Sequence, residues 1–300
     1  MTKYIPHFSN ILALNYNDRI KKVCNGEYRA SNMQSNEAKT HRVKCMFVHN
    51  RNPYLLLGPF MFEIKRHPPF RAVIHDLLTV YEINQITESI LPQLTYEKSA
   101  SINIYPDSSS TTYKDHSKVS TLYFNSLETD KSVMKSISNK VQLATYLISN
   151  EYGRKGSFKA SLYGLGGMAE KHSDAYGIED EAWLAASTMA EDYKLFFKTA
   201  GDIVATAIFY LSDLPLGGGT YFCSKNAEEV ILPKKGSAVV WTNLDSSGLR
   251  DKLQDHGGCP VAFSNKFIIT QWYNMYYQFN TYPCDIKKSA MFNQQLAYFS

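Results

Sequence analysis

The sequence has no apolar run approaching the length of a membrane-spanning helix. About 20 consecutive apolar residues are needed to cross the hydrocarbon core of a bilayer, and no stretch of the 300-residue chain approaches that length. The first residues also lack the apolar core and the small-residue cleavage site of a secretory signal peptide. The sequence therefore predicts neither a transmembrane segment nor a leader peptide in these residues.

Charge of one sign is also scarce, because the net charge is only +4. A nucleic-acid partner would require basic residues clustered on one face, and the overall balance gives no reason to expect one. The excess is uneven, since residues 1–70 hold 11 Lys and Arg against 4 Asp and Glu. Two interpretations stay open for this segment: a solvated basic face, or a docking surface for a partner subunit.

Cysteine is sparse and odd in number, with five residues in the chain. An odd count leaves at least one thiol without an intrachain partner. Reduced thiols of a cytosolic protein remain an alternative to disulfides, because the sequence does not fix the redox compartment.

Aromatic residues are plentiful, with 21 tyrosines and 16 phenylalanines, and this composition favours a β-rich fold. The apolar content of 44% is enough for one sizeable core, with or without an appendage. Glycine-rich and proline-containing breaks separate several short apolar runs, as in a sandwich or barrel. The predicted strands are Phe158–Leu165, Ile203–Leu211, Glu229–Leu232, Ala238–Trp241 and Phe267–Trp272.

Two helices are predicted before these strands. Thr79 and Glu82 have the spacing of a capping box, and apolar residues follow at helical intervals up to Pro92. Residues 131–147 carry a second apolar stripe. We expect both helices to support a sheet. The polar stretch Tyr105–Ser120 is predicted to be a loop, and Asp180–Lys198 has helical character.

Two stretches about eighty residues apart carry the chemistry, SLYGLGGMAEKHSD from Ser161 and DHGGCPVAFSNKFIITQW from Asp255. They supply His172, Asp174 and His256, two imidazoles and one carboxylate. This is the facial ligand set that non-haem Fe(II) oxygenases prefer, because it leaves coordination positions open. Alternate residues of a strand share one face, so His-x-Asp can present both groups to one metal. Lys266 would then be the counter-charge for a dicarboxylate that chelates the metal through its other end.

From about Cys24 to Cys284 the chain resembles the catalytic region of collagen-type prolyl 4-hydroxylase alpha subunits. These are 2-oxoglutarate-dependent dioxygenases of the Fe(II)/2-oxoglutarate superfamily. The motifs that carry the resemblance are VCNGE from Val23, LYGLGGMAEKHSD from Leu162, the strand text of Val204–Asp213, GGGTYF from Gly217, PKKGSAVVWTNL from Pro233, and HGGCPV with NKF from His256 to Phe267.

The resemblance implies a mainly β fold with flanking helices, built on a double-stranded β-helix, or jelly-roll, core. It implies hydroxylation of peptidyl proline at C4 in collagen-like X-Pro-Gly sequences (procollagen-proline 4-dioxygenase), with Fe(II), 2-oxoglutarate and L-ascorbate as cofactors. His172, Asp174 and His256 would be the catalytic metal ligands. A zinc site is disfavoured because a hydrolytic zinc needs an activated water and no dicarboxylate anchor.

The resemblance also assigns roles around 2-oxoglutarate. Lys266 would pair with its distal carboxylate. Tyr163 and Thr220 match positions that donate hydroxyls to the same carboxylate. Trp272, at even spacing from Lys266 on one strand, matches a tryptophan that forms a wall of the co-substrate pocket. For Tyr163, Thr220 and Trp272, an ordinary core position is the alternative.

The remaining expectations concern organisation. Residues 1–70 would form a basic N-terminal segment holding Cys24 and Cys45, residues 71–285 a catalytic domain with its oxygenase core at about 157–275, and residues 286–300 a tail. The family has two intrachain disulfides at comparable places, which implies Cys24–Cys45 and Cys259–Cys284 with Cys223 free. Protein disulfide isomerase would be the beta subunit, and the endoplasmic reticulum lumen the compartment. Nothing in the chain matches the family's helical N-terminal region.

The sequence departs from the family around the substrate. Ala169 stands where the family usually has a tyrosine, and Ile203 where it has an arginine, both of which help to hold the substrate proline. Lys171, Ser173 and Ala175 also replace more usual residues. Two alternatives therefore stay open: a 2-oxoglutarate-dependent hydroxylase of another peptide, or a non-catalytic paralogue that binds only metal and partner.

Overall fold

The structure is a computed structural model. It describes residues 18–25, 44–67, 69–94, 119–124, 131–149, 158–177, 191–223, 229–245, 247–278 and 280–281. Within these residues, no helix is both long and apolar enough to cross a membrane.

The described residues contain twelve strands and four α-helices. The strands are β1 (Lys44–Val48), β2 (Phe60–Arg66), β3 (Arg71–His75), β4 (Val119–Phe124), β5 (Phe158–Tyr163), β6 (Ala169–His172), β7 (Ile203–Tyr210), β8 (Thr220–Phe222), β9 (Glu229–Ile231), β10 (Ala238–Thr242), β11 (His256–Gly258) and β12 (Lys266–Asn274). The α-helices are α1 (Asp18–Cys24), α2 (Val80–Ile90), α3 (Lys131–Thr145) and α4 (Glu191–Ala200).

The strands form two sheets in which every pairing is antiparallel. The large sheet has the order β1-β2-β3-β10-β7-β12-β5-β4, and the small sheet has the order β6-β11-β8-β9. Strands that are distant in sequence are neighbours in both sheets, as in β3 and β10. The mainly β prediction is confirmed, and the architecture is the predicted jelly-roll core with flanking helices.

The large sheet is covered on both faces at its centre. One face packs with α2 and α3 in a large apolar cluster that includes Ile86, Ile137 and Phe209. The other face contributes Tyr210 and Trp241 to a second apolar cluster that reaches the small sheet. A strand buried on both faces is apolar at nearly every position. The central strand β7, IVATAIFY, therefore is a nearly continuous apolar run interrupted by Thr206, and all but its first residue are buried.

Helix α2 begins as the sequence predicts. The Thr79 hydroxyl accepts a hydrogen bond from the Glu82 backbone N–H at 3.2 Å, and the Glu82 carboxylate accepts one from the Thr79 N–H at 2.8 Å. Glu82 also pairs with Lys140 of α3 at 2.7 Å. The same carboxylate therefore caps one helix and links it to the other.

The predicted strands are all present, with small shifts at their ends. The list of predicted strands leaves out four-residue β6 and three-residue β8 and β11, because AEKH, TYF and HGG are too short to show strand periodicity. The strand that the His-x-Asp spacing predicts at His172 is β6, although Asp174 lies just beyond its end. The loop predicted at Tyr105–Ser120 lies outside the described residues except for its last two positions, which belong to β4. Only the second half of Asp180–Lys198 is described, and it is helical from Glu191.

The large sheet continues across the domain boundary expected near residue 70. Strand β2 pairs with β3 from Met61 to Arg66, so residues on both sides of that boundary share a sheet. Residues 44–66 are thus structurally part of the same body as the strands that follow. The division into segments 1–70, 71–285 and 286–300 stays a prediction.

The predicted disulfides are wrong, because Cys24 is bonded to Cys259. Cys24 ends α1, whose Val23 packs with Tyr221 and Cys223 against the small sheet. This packing places Cys24 beside Cys259, just after β11. Cys45 is exposed and free on edge strand β1 of the other sheet. Cys223 is free and buried, as predicted, and Cys284 lies outside the described residues.

Candidate metal centre and co-substrate pocket

Strand pairing in the small sheet brings the two histidines together. His172 ends β6, His256 begins β11, and the two residues are paired directly across the ladder. Their ring centroids are 4.4 Å apart. Asp174 lies two residues beyond His172, just past the end of β6. One donor atom from each of the three side chains lies within 4.8 Å of the others, so one ion could contact all three.

The donor atoms face each other without bonding to each other. His172 Nε2 is 3.6 Å from Asp174 Oδ1, and His256 Nε2 is 3.6 Å from Asp174 Oδ2. Both separations exceed a normal hydrogen bond. In both histidines Nδ1 is bound to the backbone carbonyl two residues earlier, at 2.7 Å to Glu170 and 3.0 Å to Gln254. A neutral imidazole that donates from Nδ1 presents the lone pair of Nε2, the form required of a metal ligand.

A chain of side-chain hydrogen bonds positions Asp174. The Thr206 hydroxyl donates to Asp174 Oδ2 at 2.7 Å and accepts from the Asn243 amide at 2.8 Å. Asn243 in turn accepts from the Trp241 indole N–H at 2.7 Å. This network could not be predicted from sequence, because it depends on the register in which β10 pairs with β7. It leaves Asp174 Oδ1 with no hydrogen-bond donor from the network.

Burial and charge suit these groups to ligation. Burial raises the pKa of Asp174, but the two imidazoles and the Thr206 hydrogen bond outweigh it, so the pKa lies below its ordinary value. Burial lowers the pKa of His256 to about 4, against the opposing effect of Asp174. At neutral pH the site therefore presents a carboxylate and, at His256, a neutral imidazole.

A glycine pair keeps the small sheet compact behind His256. A Cβ on Gly257 would clash with the Tyr221 hydroxyl and approach the Ala169 carbonyl oxygen to 2.8 Å. The buried Arg71 guanidinium supports the same strand from the large sheet. It donates to Gln254 at 2.7 Å and stacks 3.5 Å above the Phe222 ring. Gln254 and Phe222 both adjoin His256, so its orientation is fixed by contacts from both sheets.

The three side chains line a cavity of about 100 Å³ between the sheets. Lys266 begins β12 at the inner end of this cavity and pairs across the ladder with Tyr163 of β5. Its side chain is only 3% exposed. The ammonium is 5.4 Å from the Tyr163 ring centroid and 5.8 Å from that of Tyr210. Among the described residues it forms no ion pair, and burial lowers the pKa of Lys266 to about 7.

Residues 158–274, which contain the three candidate ligands and Lys266, match the 2OG-Fe(II) oxygenase superfamily. This segment is a 2OG-Fe(II) oxygenase domain.

The oxygenase domain lies in a chain that is homologous to prolyl 4-hydroxylase alpha subunits. The chain is 28% identical to Prolyl 4-hydroxylase subunit alpha-1 of Gallus gallus over 273 residues, which are 90% of this chain and 48% of that protein. It is 29% identical to the Homo sapiens alpha-1 subunit over 242 residues, 80% of this chain and 41% of that protein. The chain thus spans about half the length of the curated relatives it matches.

Solved structures of prolyl hydroxylases are also similar. The viral collagen prolyl hydroxylase of Paramecium Bursaria Chlorella virus-1, in its 2OG complex, is 20% identical and covers 68% of this chain and 94% of that one, with a TM-score of 0.46. A Trichoplax adhaerens prolyl hydroxylase in complex with a hypoxia inducible factor peptide fragment is 15% identical and covers 69% and 84%, with a TM-score of 0.43.

The residues of the oxygenase domain fit Fe(II) and 2-oxoglutarate. Two imidazoles and one carboxylate are a ligand set for Fe(II) that leaves coordination positions open. A buried cation without a counter-ion is costly, and a dicarboxylate that reached from the metal to Lys266 would supply the missing negative charge. This fit rests on the positions of the protein's own side chains.

Three further predicted residues line the same cavity of the oxygenase domain, Tyr163, Thr220 and Trp272. The Thr220 hydroxyl is 2.7 Å from the Tyr210 hydroxyl. Tyr210 was not predicted; it is fully buried and adjoins Lys266. Burial raises the pKa of Tyr210, so its phenol stays protonated and can donate. Trp272 lies at the outer end, stacked on Tyr123 with ring centroids 6.2 Å apart.

The cavity of the oxygenase domain contains a second lysine, Lys159 of β5, which the sequence did not indicate. Ala169, where the family's usual tyrosine is absent, also lines the cavity. Ile203 begins β7 and does not line it. Lys171 forms an ion pair with Asp255 at 3.4 Å, Ser173 separates the first two candidate ligands, and Ala175 is buried in the large apolar cluster.

Proposed function

We propose that this chain is the catalytic part of a prolyl 4-hydroxylase that acts on peptidyl proline at C4 in collagen-like X-Pro-Gly sequences. The observation that carries the proposal is the convergence of His172, Asp174 and His256 in one cavity with a buried lysine that has no counter-ion within the described residues. Homology to prolyl 4-hydroxylase alpha subunits supports the choice of substrate.

The proposal gives each residue one task. His172, Asp174 and His256 would hold Fe(II) through two Nε2 atoms and one carboxylate oxygen. Lys266 would bind the distal carboxylate of 2-oxoglutarate, with Tyr163 and Thr220 as hydroxyl donors beside it. Trp272 would form one side of the outer part of the pocket. L-ascorbate would keep the metal reduced, as the resemblance implies.

With O2 as the oxidant, bound Fe(II) and 2-oxoglutarate would supply the oxidative decarboxylation of 2-oxoglutarate to succinate and carbon dioxide, coupled to hydroxylation of a C–H bond, so that one oxygen atom of O2 enters succinate and the other the new hydroxyl group. The protein contributes binding, orientation and exclusion of water. The Nδ1 hydrogen bonds fix both imidazoles, and the Thr206–Asn243 network fixes Asp174. The apolar faces of Ile208 and Ile268 line the cavity between Lys266 and the ligands and limit the entry of water.

A second candidate, favoured by Ala169, is a 2-oxoglutarate-dependent hydroxylase of another peptide. Ala169 lines the cavity with a methyl group and so adds neither a ring nor a hydroxyl to grip a proline. A non-catalytic paralogue is disfavoured, because a chain freed from turnover need not keep all three donors and the buried lysine.

Protein disulfide isomerase as beta subunit and residence in the endoplasmic reticulum lumen belong to the same proposal. The Cys24–Cys259 disulfide supports an oxidising compartment. Non-reducing peptide mapping of the secretory-pathway protein should recover this cross-link. Co-purification with protein disulfide isomerase tests the partner, with the Cys45→Ser variant as a control against adventitious mixed disulfides through the exposed thiol.

The function is tested by succinate formation from 2-oxoglutarate with Fe(II) and ascorbate, with and without a (Pro-Pro-Gly)-repeat peptide. The expected result is peptide-dependent succinate in step with 4-hydroxyproline in the peptide. Succinate formation that another peptide stimulates, while the collagen-like repeat does not, favours the second candidate. Absence of turnover with every peptide contradicts both.

A further inference from the structure

Lys159 stands at the opposite end of the cavity from Lys266. On β5, Lys159, Ser161 and Tyr163 are alternate residues that all line the cavity. Tyr163 is paired with Lys266, whereas Lys159 is paired with Thr270, four residues further along β12. At about 3.3 Å per strand residue, the backbones of the two lysines are about 13 Å apart along the sheet. The two cations thus mark opposite ends of the cavity.

An aromatic ring lies beside the Lys159 ammonium. On its other side Lys159 is paired with Tyr123 of edge strand β4, and its ammonium lies 5.4 Å from the Tyr123 ring centroid. Tyr123 is 55% exposed and stacks on Trp272. The stacked rings of Tyr123 and Trp272 position the Lys159 side chain at the outer end of the cavity. Within the described residues, Lys159 forms no ion pair.

The charge balance of the loaded site leaves Lys159 uncompensated. The positive charges of Fe(II) and Lys266 are matched by Asp174 and the two carboxylates of 2-oxoglutarate. Burial lowers the pKa of Lys159, but the phenols of Tyr123 and Tyr163, together with Asp174, outweigh it and keep the lysine protonated. A partly buried cation without an anion favours any ligand that brings one. The remaining open end of the cavity is where a peptide must enter.

We propose that Lys159 determines specificity by pairing with an acidic side chain of the peptide substrate, next to the proline that is hydroxylated. This inference rests on the proposed function, since it concerns the substrate of the same site. The preferred substrate is then an acidic X-Pro-Gly peptide, with Glu or Asp beside the target proline.

The test measures peptide binding and turnover separately. The peptides consist of X-Pro-Gly triplets and carry Pro, Glu or Lys as X in the central triplet. Their ends are blocked, so that no terminal carboxylate contributes to binding. Dissociation constants are measured by fluorescence anisotropy of labelled peptides, and succinate and hydroxyproline are measured on the same peptides. Wild-type protein should bind the Glu peptide about tenfold more tightly than the Lys peptide, with a matching difference in KM.

Variants of Lys159 show whether this side chain is responsible. Lys159→Gln should remove the discrimination, Lys159→Arg should keep it, and Lys159→Glu should reverse it. The exposed Lys235, in the turn before β10, gives the matched control: Lys235→Gln should leave the preference unchanged. Should a Lys159 variant fail to fold, the comparison of Glu and Lys peptides on wild-type protein still decides.

The two readouts separate the two proposals. Loss of turnover with retained preference for the Glu peptide in binding contradicts the proposed function and supports the role of Lys159. Turnover with equal affinity for all three peptides supports the function and overturns that role. If the wild-type protein binds none of the three peptides, the proposed role of Lys159 is overturned as well.

Discussion

The two ends of the cavity differ in how much of their chemistry is enclosed. At the inner end, Lys266 and Tyr210 are buried, and the His256 side chain is only 4% exposed. At the outer end, the side chain of His172 is 44% exposed and the Tyr123 ring lies largely in solvent. The inner end is built for a small ligand that is fully surrounded. The outer end is open, as the binding of part of a larger molecule requires.

This contrast indicates which groups need fixed positions and which can differ between substrates. Groups that hold a dicarboxylate need fixed positions and low water access, and Lys266 lies where both sheets enclose it. Groups that recognise a chain can differ without disturbing the inner end. Lys159 at the outer end is the residue that a comparison of substrates should reveal.

Among these changes, loss of a metal ligand should have the largest effect, because it should reduce both metal binding and turnover. His172→Ala removes one of three donors, and we expect metal binding and succinate formation to fall by about a thousandfold or more. Both are measured directly, by metal titration and by product analysis. His49→Ala, an exposed histidine outside the cavity, is the control and should match wild type. Retained succinate formation by His172→Ala would contradict the ligand assignment.

Lys266→Met should weaken the binding of 2-oxoglutarate at the inner end without weakening the binding of the metal. The methionine keeps much of the volume but removes the charge that would pair with the distal carboxylate, so we expect affinity for 2-oxoglutarate to fall by about 100-fold. Metal binding should stay close to wild type, since Lys266 is not a donor. Calorimetric titration of 2-oxoglutarate into metal-loaded protein measures the effect. A loss of less than threefold would show that the dicarboxylate is anchored elsewhere.

Thr206→Val should show how much the network around Asp174 contributes. The change preserves shape but removes the hydroxyl that donates to Asp174 and accepts from Asn243. Removing such a supporting hydrogen bond typically costs about tenfold in metal affinity. Thr87→Val, which removes a hydroxyl bonded within α2, is the control for loss of a threonine hydroxyl. Equal metal affinities for wild type and Thr206→Val would show that Asp174 is positioned without this network.

The buried charge of Lys266 should make ligand-free stability depend on pH. Its pKa of about 7 in the folded chain lies below its unfolded value of about 10.4. Between these values the unfolded chain binds the extra proton, so the residue's contribution to the free energy of unfolding rises with pH from about 7 to about 10. Below pH 7 Lys266 is charged in the folded chain as well, so the full cost of burying this charge lowers the free energy of unfolding. Lys266→Met should therefore raise Tm at pH 6 and raise it less at pH 9, with a stabilisation on the order of a few kcal/mol at pH 6.

Thermal unfolding of metal-free and 2-oxoglutarate-free protein checks this prediction. Lys235→Met changes an exposed lysine and should show no pH-dependent difference from wild type. A Lys266→Met protein less stable than wild type at pH 6 would mean that the ammonium has a counter-ion in the folded chain.

The long, strongly patterned elements were predictable from sequence. Strand β7 is a nearly continuous apolar run and α2 has a complete capping box, so each carries its own local information. Strands β6 and β11 hold two of the candidate ligands but are short and contain polar residues or glycine. Their strand structure depends on pairing with each other, which no local pattern reveals.

The candidate ligands and Lys266 could be found because they belong to ordered motifs. Thr206, Asn243 and Lys159 could not, since they reach the site through the registers of β7, β10 and β5. The disulfide was predicted wrongly for the same reason. Cys24 and Cys259 are 235 residues apart, and only the packing of α1 on the small sheet brings them together.

The most direct test of the account is the visible charge-transfer absorption that arises when 2-oxoglutarate chelates Fe(II) in a protein site. It is recorded without oxygen, adding Fe(II) and then 2-oxoglutarate to the metal-free protein. The account predicts a band that requires both additions, is absent in His172→Ala and needs far more 2-oxoglutarate in Lys266→Met. Wild-type protein that binds Fe(II) but shows no band at saturating 2-oxoglutarate would contradict the assignment of the inner end.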